Sequence, residues 1–464
     1  MRVARRAVVL LVAISSPAAA QTAEPWQPPT LTTTRYDEDW SKLADPSVRT
    51  GRWTERFKHI PVGDDAYLTI GTELRLRNEA YHNNRWGGDP ASDDGYLWVR
   101  FIPHADLHVG RVRAFVQPIA AYAAGVRPQA GPIDQTRLDL LQGFADVRLG
   151  DAATGDTAGT GITLRAGRQM LSLGTERLVG TRYGPNVPLA FDGFRALASL
   201  GGATLSLLAV RPVQPARGMF DDRRSRDKSL WSAYATFPVP GLDLYYIGYR
   251  NNAATFDART GRELRHSLGV RSFGEASEWH WNIEGVAQLG RFAGGPITAW
   301  TLGTEVGRHF PSAPLSPDTV LRINVVSGDQ HRGDGRVGTF NALFPKGKYF
   351  GELSPIGPTN IVSVNPRVAL SMGANVSASL AGMAYWRQSR ADGVYDIPGN
   401  LARAPGSASA RFIGKEIEAT LAWQATPELE LSTSLSAFVP GGFIRQTGAA
   451  RTITMLGVEA NSRF

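Results

Sequence analysis

Charged side chains alternate with apolar ones along several stretches of this chain. In one of them Glu73, Arg75 and Arg77 occupy every second position, and leucines stand between them. Successive side chains of a β-strand point to opposite faces, so the three charges share one face and the leucines share the other. Guanidinium groups bind carboxylates and phosphates bidentately, so an anion is the expected ligand of such a face.

The same alternation places arginines opposite the apolar face in many later stretches. An arginine facing lipid near the middle of a bilayer would cost about 2–4 kcal/mol, so a polar interior is the better location. We predict that eight arginines line an interior and bind anionic substrate: Arg75, Arg100, Arg113, Arg165, Arg195, Arg271, Arg322 and Arg367. The alternative is that they pair with acids and only fill and rigidify that interior.

Acidic residues on the same faces are expected to pair with these arginines. Four acidic partners are predicted: Glu73, Glu305, Glu416 and Glu459. Conduction requires binding that is weak and spread over several sites, and neighbouring acids would moderate the hold of the arginines on a ligand.

Metal binding and catalysis find little support. His104, Asp106 and His108 share one strand face, but successive side chains there are about 6.8 Å apart, which is wide for one ion. One loop carries three acids that lack the positions of a known calcium loop: Asp89, Asp93 and Asp94. There is no His-Glu-x-x-His, Gly-x-Ser-x-Gly or P-loop pattern. We therefore predict no catalytic residue, no cofactor and no metal.

The first 20 residues are predicted to be a signal peptide. Arginines precede an apolar run at 7–14, and alanines at 18–20 supply the small residues of a cleavage site. No later apolar run is long enough for a membrane-spanning helix, which excludes a helical membrane protein. The chain has no cysteine, so disulfides and thiol chemistry are excluded.

Beyond residue 66, about eighteen stretches alternate between apolar and polar positions, and each has the roughly ten residues that a tilted strand needs to cross a bilayer. The spacers alternate too. Odd-numbered ones such as 80–95, 251–263 and 328–359 are mostly long, with 292–296 a shorter one, and they are separated by short turns such as Gly110 and 200–202. Soluble propellers or sandwiches have no reason to sort their connections this way. We predict an all-β fold: a single transmembrane antiparallel β-barrel of about 18 strands, with long extracellular loops and short periplasmic turns.

The chain is therefore expected to have three parts. Residues 1–20 are the signal peptide, 21–65 a polar periplasmic N-terminal lead-in, and 66–464 the barrel. Trp40 and Trp53 of the lead-in are expected near the barrel mouth.

The last stretch, 451–464, is predicted to be the strand that closes the barrel. It alternates like the others and ends on Phe464. We expect it to pair with the first strand, which would bring Glu459 close to Arg75 or Arg77.

Several stretches, in order, resemble the alginate export family of outer-membrane porins. Gly-Arg-Gln-Met-Leu-Ser-Leu-Gly-Thr-Glu-Arg-Leu-Val-Gly at 167–180 is followed by Phe-Asp-Gly-Phe-Arg at 191–195, and further stretches match at 340–351, 413–418 and 438–443. The resemblance extends from about residue 66 to the end. It implies an eighteen-stranded monomer in the outer membrane of a Gram-negative bacterium, with an arginine-lined pore that passes an anionic uronate polymer.

The resemblance implies a passive channel that exports an anionic polysaccharide, alginate or a similar polyuronate, from the periplasm to the cell surface. Its expected partners are that polymer, outer-membrane lipid and lipopolysaccharide, and periplasmic polysaccharide-export proteins, with no nucleic acid. The main alternative is a general or substrate-specific porin for uptake of small anionic solutes. An outer-membrane enzyme and a structural or adhesion barrel are further alternatives.

The spacer 328–359 is too apolar for a solvated loop. We expect it to fold over or into the barrel mouth as a gate or constriction, or to pack against neighbouring loops.

Overall fold

The computed structural model describes residues 26–88, 92–150, 161–239, 241–256, 259–373 and 375–464. The predicted signal peptide lies outside these ranges, as does Asp89 of the acidic loop.

Eighteen antiparallel strands form one closed sheet, and we number them β1 to β18 in chain order. Strands β1 to β9 are Ala66–His82, Asp94–Val109, Val112–Ala124, Thr136–Gly150, Gly161–Met170, Ala190–Leu200, Ala203–Gln214, Lys228–Phe237 and Leu242–Phe256. Strands β10 to β18 are Arg259–Ala276, Trp279–Phe292, Gly295–His309, Asp318–Val326, Ile361–Ser371, Val376–Arg387, Phe412–Thr426, Leu429–Pro440 and Ile453–Arg463. The predicted all-β barrel is thus confirmed.

Other elements are short. Two-stranded pairings involve Ile60–Gly63 with β1, Arg223–Arg224 with β7, and Val394–Tyr395 with Leu401–Arg403. Single 3-10 turns and one α-helical turn complete the assignment within the described ranges: Ser41–Ala44, Pro46–Val48, Trp53–Phe57, Asn84–Gly87 and Gly442–Gln446. None of the helices in the described part of the chain has the length and apolar character needed to cross a membrane.

The barrel closes between its first and last strands. β1 and β18 pair antiparallel from Glu73 opposite Arg463 to His82 opposite Thr454. Arg77 lies opposite Glu459, and their side chains meet at 2.8 Å. The predicted closing strand is therefore confirmed, and closure leaves no unpaired backbone edge facing lipid.

The two faces of each strand differ as the alternation predicts. In β1, Leu74 and Leu76 are each 42% exposed, whereas Glu73, Arg75 and Arg77 between them are buried. Exposed leucine, valine and phenylalanine side chains recur on the outer face of the other strands. Such an apolar surface around a polar interior is stable in a lipid bilayer and costly in water.

The connections are sorted largely as predicted, with two exceptions on the extracellular side. The spacers 251–263 and 292–296 are mostly strand: β9 and β10 reach Phe256 and Arg259, and β11 joins β12 through a turn at residues 293–294. The ends of these hairpins pack on one another, and Ala254, Phe292 and Ile297 form a buried apolar cluster with Val337. Contacts between the hairpins, and not lipid on one face, determine which residues are apolar there, so the apolar–polar alternation does not mark them as strand.

Protein fills much of the barrel interior. Residues 171–189, here loop A, and residues 327–360, here loop B, fold inward and pair with each other. The amide of Gly180 donates to the carbonyl of Phe344 at 2.8 Å, and the amide of Phe344 donates to the carbonyl of Leu178 at 2.9 Å. Around this pairing lies the largest apolar cluster of the described chain. The apolar loop thus lies inside the barrel, packed against another loop.

Gly167 in β5 lies where two neighbouring strands of the barrel wall approach each other closely. Its φ is +134°, and a Cβ there would lie 2.3 Å from the carbonyl oxygen of Gly143 in β4. Gly167→Ala is expected to cost about 1–3 kcal/mol from backbone strain, with the steric clash in addition. We expect a lower unfolding temperature, measured by the loss of the folded, heat-modifiable band on SDS gels.

Gly285→Ala in β11 is the matched control, because no atom lies within 4 Å of its added Cβ. Equal unfolding temperatures for the two variants would contradict the interpretation.

Candidate functional site

The eight predicted arginines all occupy interior-facing strand positions. Their bonding partners and their exposure place them in three groups. Three form ion pairs with buried acids: Arg100 with Glu73 at 2.6 Å, Arg113 with Asp106 at 2.7 Å, and Arg165 with Asp146 at 2.8 Å. All six side chains are almost fully buried. Removing one partner of such a pair typically costs about 3–5 kcal/mol, because the other charge is left buried and alone. These arginines therefore hold the wall together.

Arg75 differs because its contacts are with carbonyl oxygens. Its guanidinium donates to the carbonyls of Tyr183, Gly184 and Pro185 in loop A, at 2.9–3.1 Å. Arg100 donates to two of the same carbonyls. Two neighbouring wall arginines thus hold loop A across the interior.

The side chains of the other four arginines are less completely enclosed by protein. Arg271 pairs with Asp243 at 2.7 Å, Arg322 pairs with Glu305 at 2.8 Å, Arg195 donates to the Ser206 hydroxyl at 2.9 Å, and Arg367 lies 3.8 Å from Asp318. Arg322 is 29% and Arg367 is 46% exposed at the side chain. These two therefore remain accessible to a solute inside the barrel.

Three of the four predicted acidic partners pair with an arginine: Glu73, Glu305 and Glu459. Glu416 does not pair with any arginine of the described residues. Its carboxylate accepts a hydrogen bond from the Tyr385 hydroxyl at 3.3 Å. The sheet register explains the difference, because Met383 and Phe438 lie opposite Glu416 on the two neighbouring strands.

Of the three residues His104, Asp106 and His108, only the last two meet: His108 Nε2 lies 3.2 Å from the Asp106 carboxylate. Arg113 binds both oxygens of the Asp106 carboxylate at 2.7 Å, and the His104 ring stacks on Phe115 with 5.6 Å between centroids. Elsewhere three acids bring oxygens within 4.8 Å of one another: Asp139, Asp221 and Asp222. Asp139 already accepts from the backbone amides of Leu140 and Asp222 and lies 3.6 Å from Arg168.

Two interior cavities flank the turn Lys346-Gly347-Lys348 of loop B. The larger, about 330 Å³, is lined by residues that include Arg75, Arg77, Lys348, Glu352, Glu430 and Glu459. Its three cations are matched by three acids.

The second cavity, here the basic cavity, has a volume of about 220 Å³. It is lined by Thr175, Arg177, Asn282, Thr304, Glu305, Arg322, Asn324, Lys346 and Tyr349. Its lining holds three cations and one acid, together with hydroxyl and amide groups. That composition suits a ligand with a carboxylate and several hydroxyls.

Loop residues supply cations that strand alternation does not reveal. Arg177 of loop A donates to Glu284 at 2.9 Å and to the Tyr349 hydroxyl of loop B at 2.6 Å. Burial, and then the neighbouring Arg322, lowers the pKa of Lys346 to about 8. The sequence signal for these residues is that both lie in stretches that carry the family resemblance, Arg177 in 167–180 and Lys346 in 340–351.

The sequence model for alginate export matches residues 66–457. The chain belongs to the alginate export family. No curated protein sequence matches it.

Solved outer-membrane porins share the fold of this family member. Pseudomonas aeruginosa OccK2 in complex with glucuronate has a TM-score of 0.56 at 15% identity over 85% of this chain and 98% of that one. P. aeruginosa OpdK with vanillate has a TM-score of 0.55 at 14% identity over 85% and 99%. A BenF-like porin from Pseudomonas fluorescens Pf-5 has a TM-score of 0.57 at 12% identity over 86% and 99%. Family and fold together identify an outer-membrane channel of a Gram-negative bacterium.

Arg75 provides a test of the loop A anchor. Arg75→Met removes three hydrogen bonds from a charged donor, each worth about 1.5–3 kcal/mol. We expect loop A to move more freely, with larger single-channel conductance and more open-channel noise in planar bilayers.

Arg367→Met is the control, since Arg367 faces the same interior, lies near Asp318 and, within the described ranges, makes no hydrogen bond to loop A. Equal noise in both variants would argue against an anchoring role for Arg75.

Proposed function

We propose that this channel exports an anionic polysaccharide, alginate or a similar polyuronate, from the periplasm to the cell surface. Membership of the alginate export family supports the substrate class. The basic cavity supports the mechanism, because its three cations outnumber its one acid. We further propose that the protein works as a monomer, in which each barrel is a complete pathway.

The contacts favour two roles for the predicted arginines. Arg100, Arg113 and Arg165 are engaged by buried acids, and Arg75 by loop A, so these four shape the pathway. The remaining four are proposed to touch the passing carboxylates, and we add two loop cations to them: Arg195, Arg271, Arg322, Arg367, Arg177 and Lys346. Nearby acids such as Glu305 keep the hold on each carboxylate weak enough for movement.

Uptake of small anionic solutes is the second candidate function. The two cavities, of about 330 and 220 Å³, are small, and loops A and B occupy much of the interior. OccK2 and OpdK, which share the fold, were solved with glucuronate and vanillate. A pathway of this kind would pass single carboxylated solutes inward.

Conductance separates these functions. The purified protein in planar bilayers is expected to prefer anions in a salt gradient and to be blocked by mannuronate oligomers added on the periplasmic side. A block whose duration increases with the length of the oligomer supports polymer export. A glucuronate current without lasting block by oligomers supports uptake. Cation preference, with no response to either compound, would exclude both.

Arg322 tests the basic cavity. Arg322→Gln loses one charge-assisted contact of about 1.5–3 kcal/mol, which corresponds to roughly 10–100-fold weaker block by oligouronate. Anion preference should also fall, because Glu305 is left unpaired.

Arg308→Gln is the matched control for this substitution. Arg308 pairs with Glu278 at 2.7 Å, as Arg322 does with Glu305, but it does not line the basic cavity. Similar losses in both variants would show that the effect is not local to the cavity.

Lys346 should make the block sensitive to pH. Its pKa is lowered to about 8, so its ammonium is charged below that pH and neutral above it. Oligouronate block is expected to weaken as the pH is raised from about 7 to about 9, a range in which exposed lysines stay charged. In Lys346→Met, oligouronate block should be weak at every pH in this range and should not change in a step. A step of the same size in this variant would assign the titration to another group.

A further inference from the structure

Part of the lead-in is buried against the inside of the barrel wall. Arg35, Tyr36 and Lys58 are 2%, 4% and 1% exposed, although the surrounding sequence is polar and has no strand alternation. Their hydrogen-bond partners are mostly barrel residues. A segment that stayed in the periplasm would leave these side chains in water.

Tyr36 is held by the wall formed by β3, β4 and β5. Its hydroxyl donates to the Met170 carbonyl at 2.7 Å, and its ring lies edge-on to Phe144 with 5.3 Å between centroids. The Arg165 guanidinium lies 4.2 Å from the centre of the same ring. Arg113 donates to the Tyr36 carbonyl at 2.6 Å. Two of the predicted substrate-binding arginines are thus covered by the lead-in.

Arg35 and Lys58 are held at the seam where the barrel closes. Arg35 donates to the carbonyls of Phe464 at 2.6 Å and Thr72 at 3.3 Å. The Lys58 ammonium donates to the Ile70 carbonyl at 2.9 Å. The lead-in is therefore attached both to the β1–β18 seam and to the wall as far as β5.

Water can replace each of these anchors. The side chains of Arg35, Tyr36 and Lys58 donate to backbone carbonyls of the barrel. Such a hydrogen bond contributes only about 0.5–1.5 kcal/mol net, or about 1.5–3 kcal/mol from a charged donor, because water takes its place when the two groups separate. The lead-in is thus held by a few polar contacts that water can replace, as expected for a segment that can be released.

We propose that residues 31–58 are an intramolecular plug that occupies the β1–β5 sector of the periplasmic entrance and covers Arg113 and Arg165. Release of the plug widens the entrance, and Arg113 and Arg165 stay paired with Asp106 and Asp146 in the wall that it uncovers. The plug is a property of the chain itself and holds for any cargo.

Conductance of the full mature chain in potassium chloride tests the plug without any uronate. Tyr36→Ala and Arg35→Ala each remove one anchor and should increase single-channel conductance. Lys42→Ala is the control within the same segment, because Lys42 is exposed and, among the described residues, its side chain makes no ion pair or hydrogen bond to the barrel. Unchanged conductance in both anchor variants, with barrels that still show the folded band on SDS gels, would overturn the proposal.

Thiol labelling gives a second test that leaves both anchors intact, since the chain has no cysteine of its own. Thr34 is buried, whereas Ser47 is exposed. Thr34→Cys should react with a maleimide roughly tenfold or more slowly than Ser47→Cys, a ratio that corresponds to a seated state favoured by at least tenfold. Adding Tyr36→Ala should accelerate the labelling of Thr34→Cys. Equal rates for the two single variants would show that the plug is not seated.

Discussion

Closure of the sheet is the constraint on which this structure depends. Lipid offers no hydrogen-bond partner to a strand edge, so β1 must pair with β18. The pairing sets the register that brings Arg77 opposite Glu459. It also fixes which face of every strand meets lipid, and all remaining polar side chains must then be accommodated inside. The charged interior is thus a direct consequence of a closed wall.

Most charges inside the closed wall are paired with an opposite charge, and the partner and exposure of each determine what it can do. Arg100, Arg113 and Arg165 are neutralised by acids on adjacent strands, so they hold neighbouring strands together and offer little to a solute. Arg322 has a partner too, but it stays partly exposed beside an accessible cavity. Exposure, more than the presence of an acidic partner, separates structural from accessible arginines.

The alternation of apolar and polar residues along the strands predicted most of the fold but little of the candidate site. It located eighteen strands and the closing pair because lipid imposes one repeating pattern on every strand. It failed at the ends of the β9–β10 and β11–β12 hairpins, where apolar side chains pack on one another and lipid does not set the pattern. It also predicted an arginine partner for Glu416, whereas Met383 and Phe438 flank this acid. Register between strands decides such contacts, and one strand's pattern does not contain the register. The cations Arg177 and Lys346 lie on loops, where no period marks an inward side chain.

Under the proposed function, the location of these loop cations would link substrate selection to movement of loops A and B. Arg177 on loop A is bonded to Tyr349 on loop B, and Lys346 follows the segment where the two loops pair. A movement of either loop therefore changes the spacing of Arg177, Lys346 and the wall residue Arg322. A carboxylate bound among the three would hold both loops in place, since it bridges cations from both loops and the wall. The proposed binding would then be coupled to opening through the same contacts, and a fixed ring of wall arginines would lack this coupling.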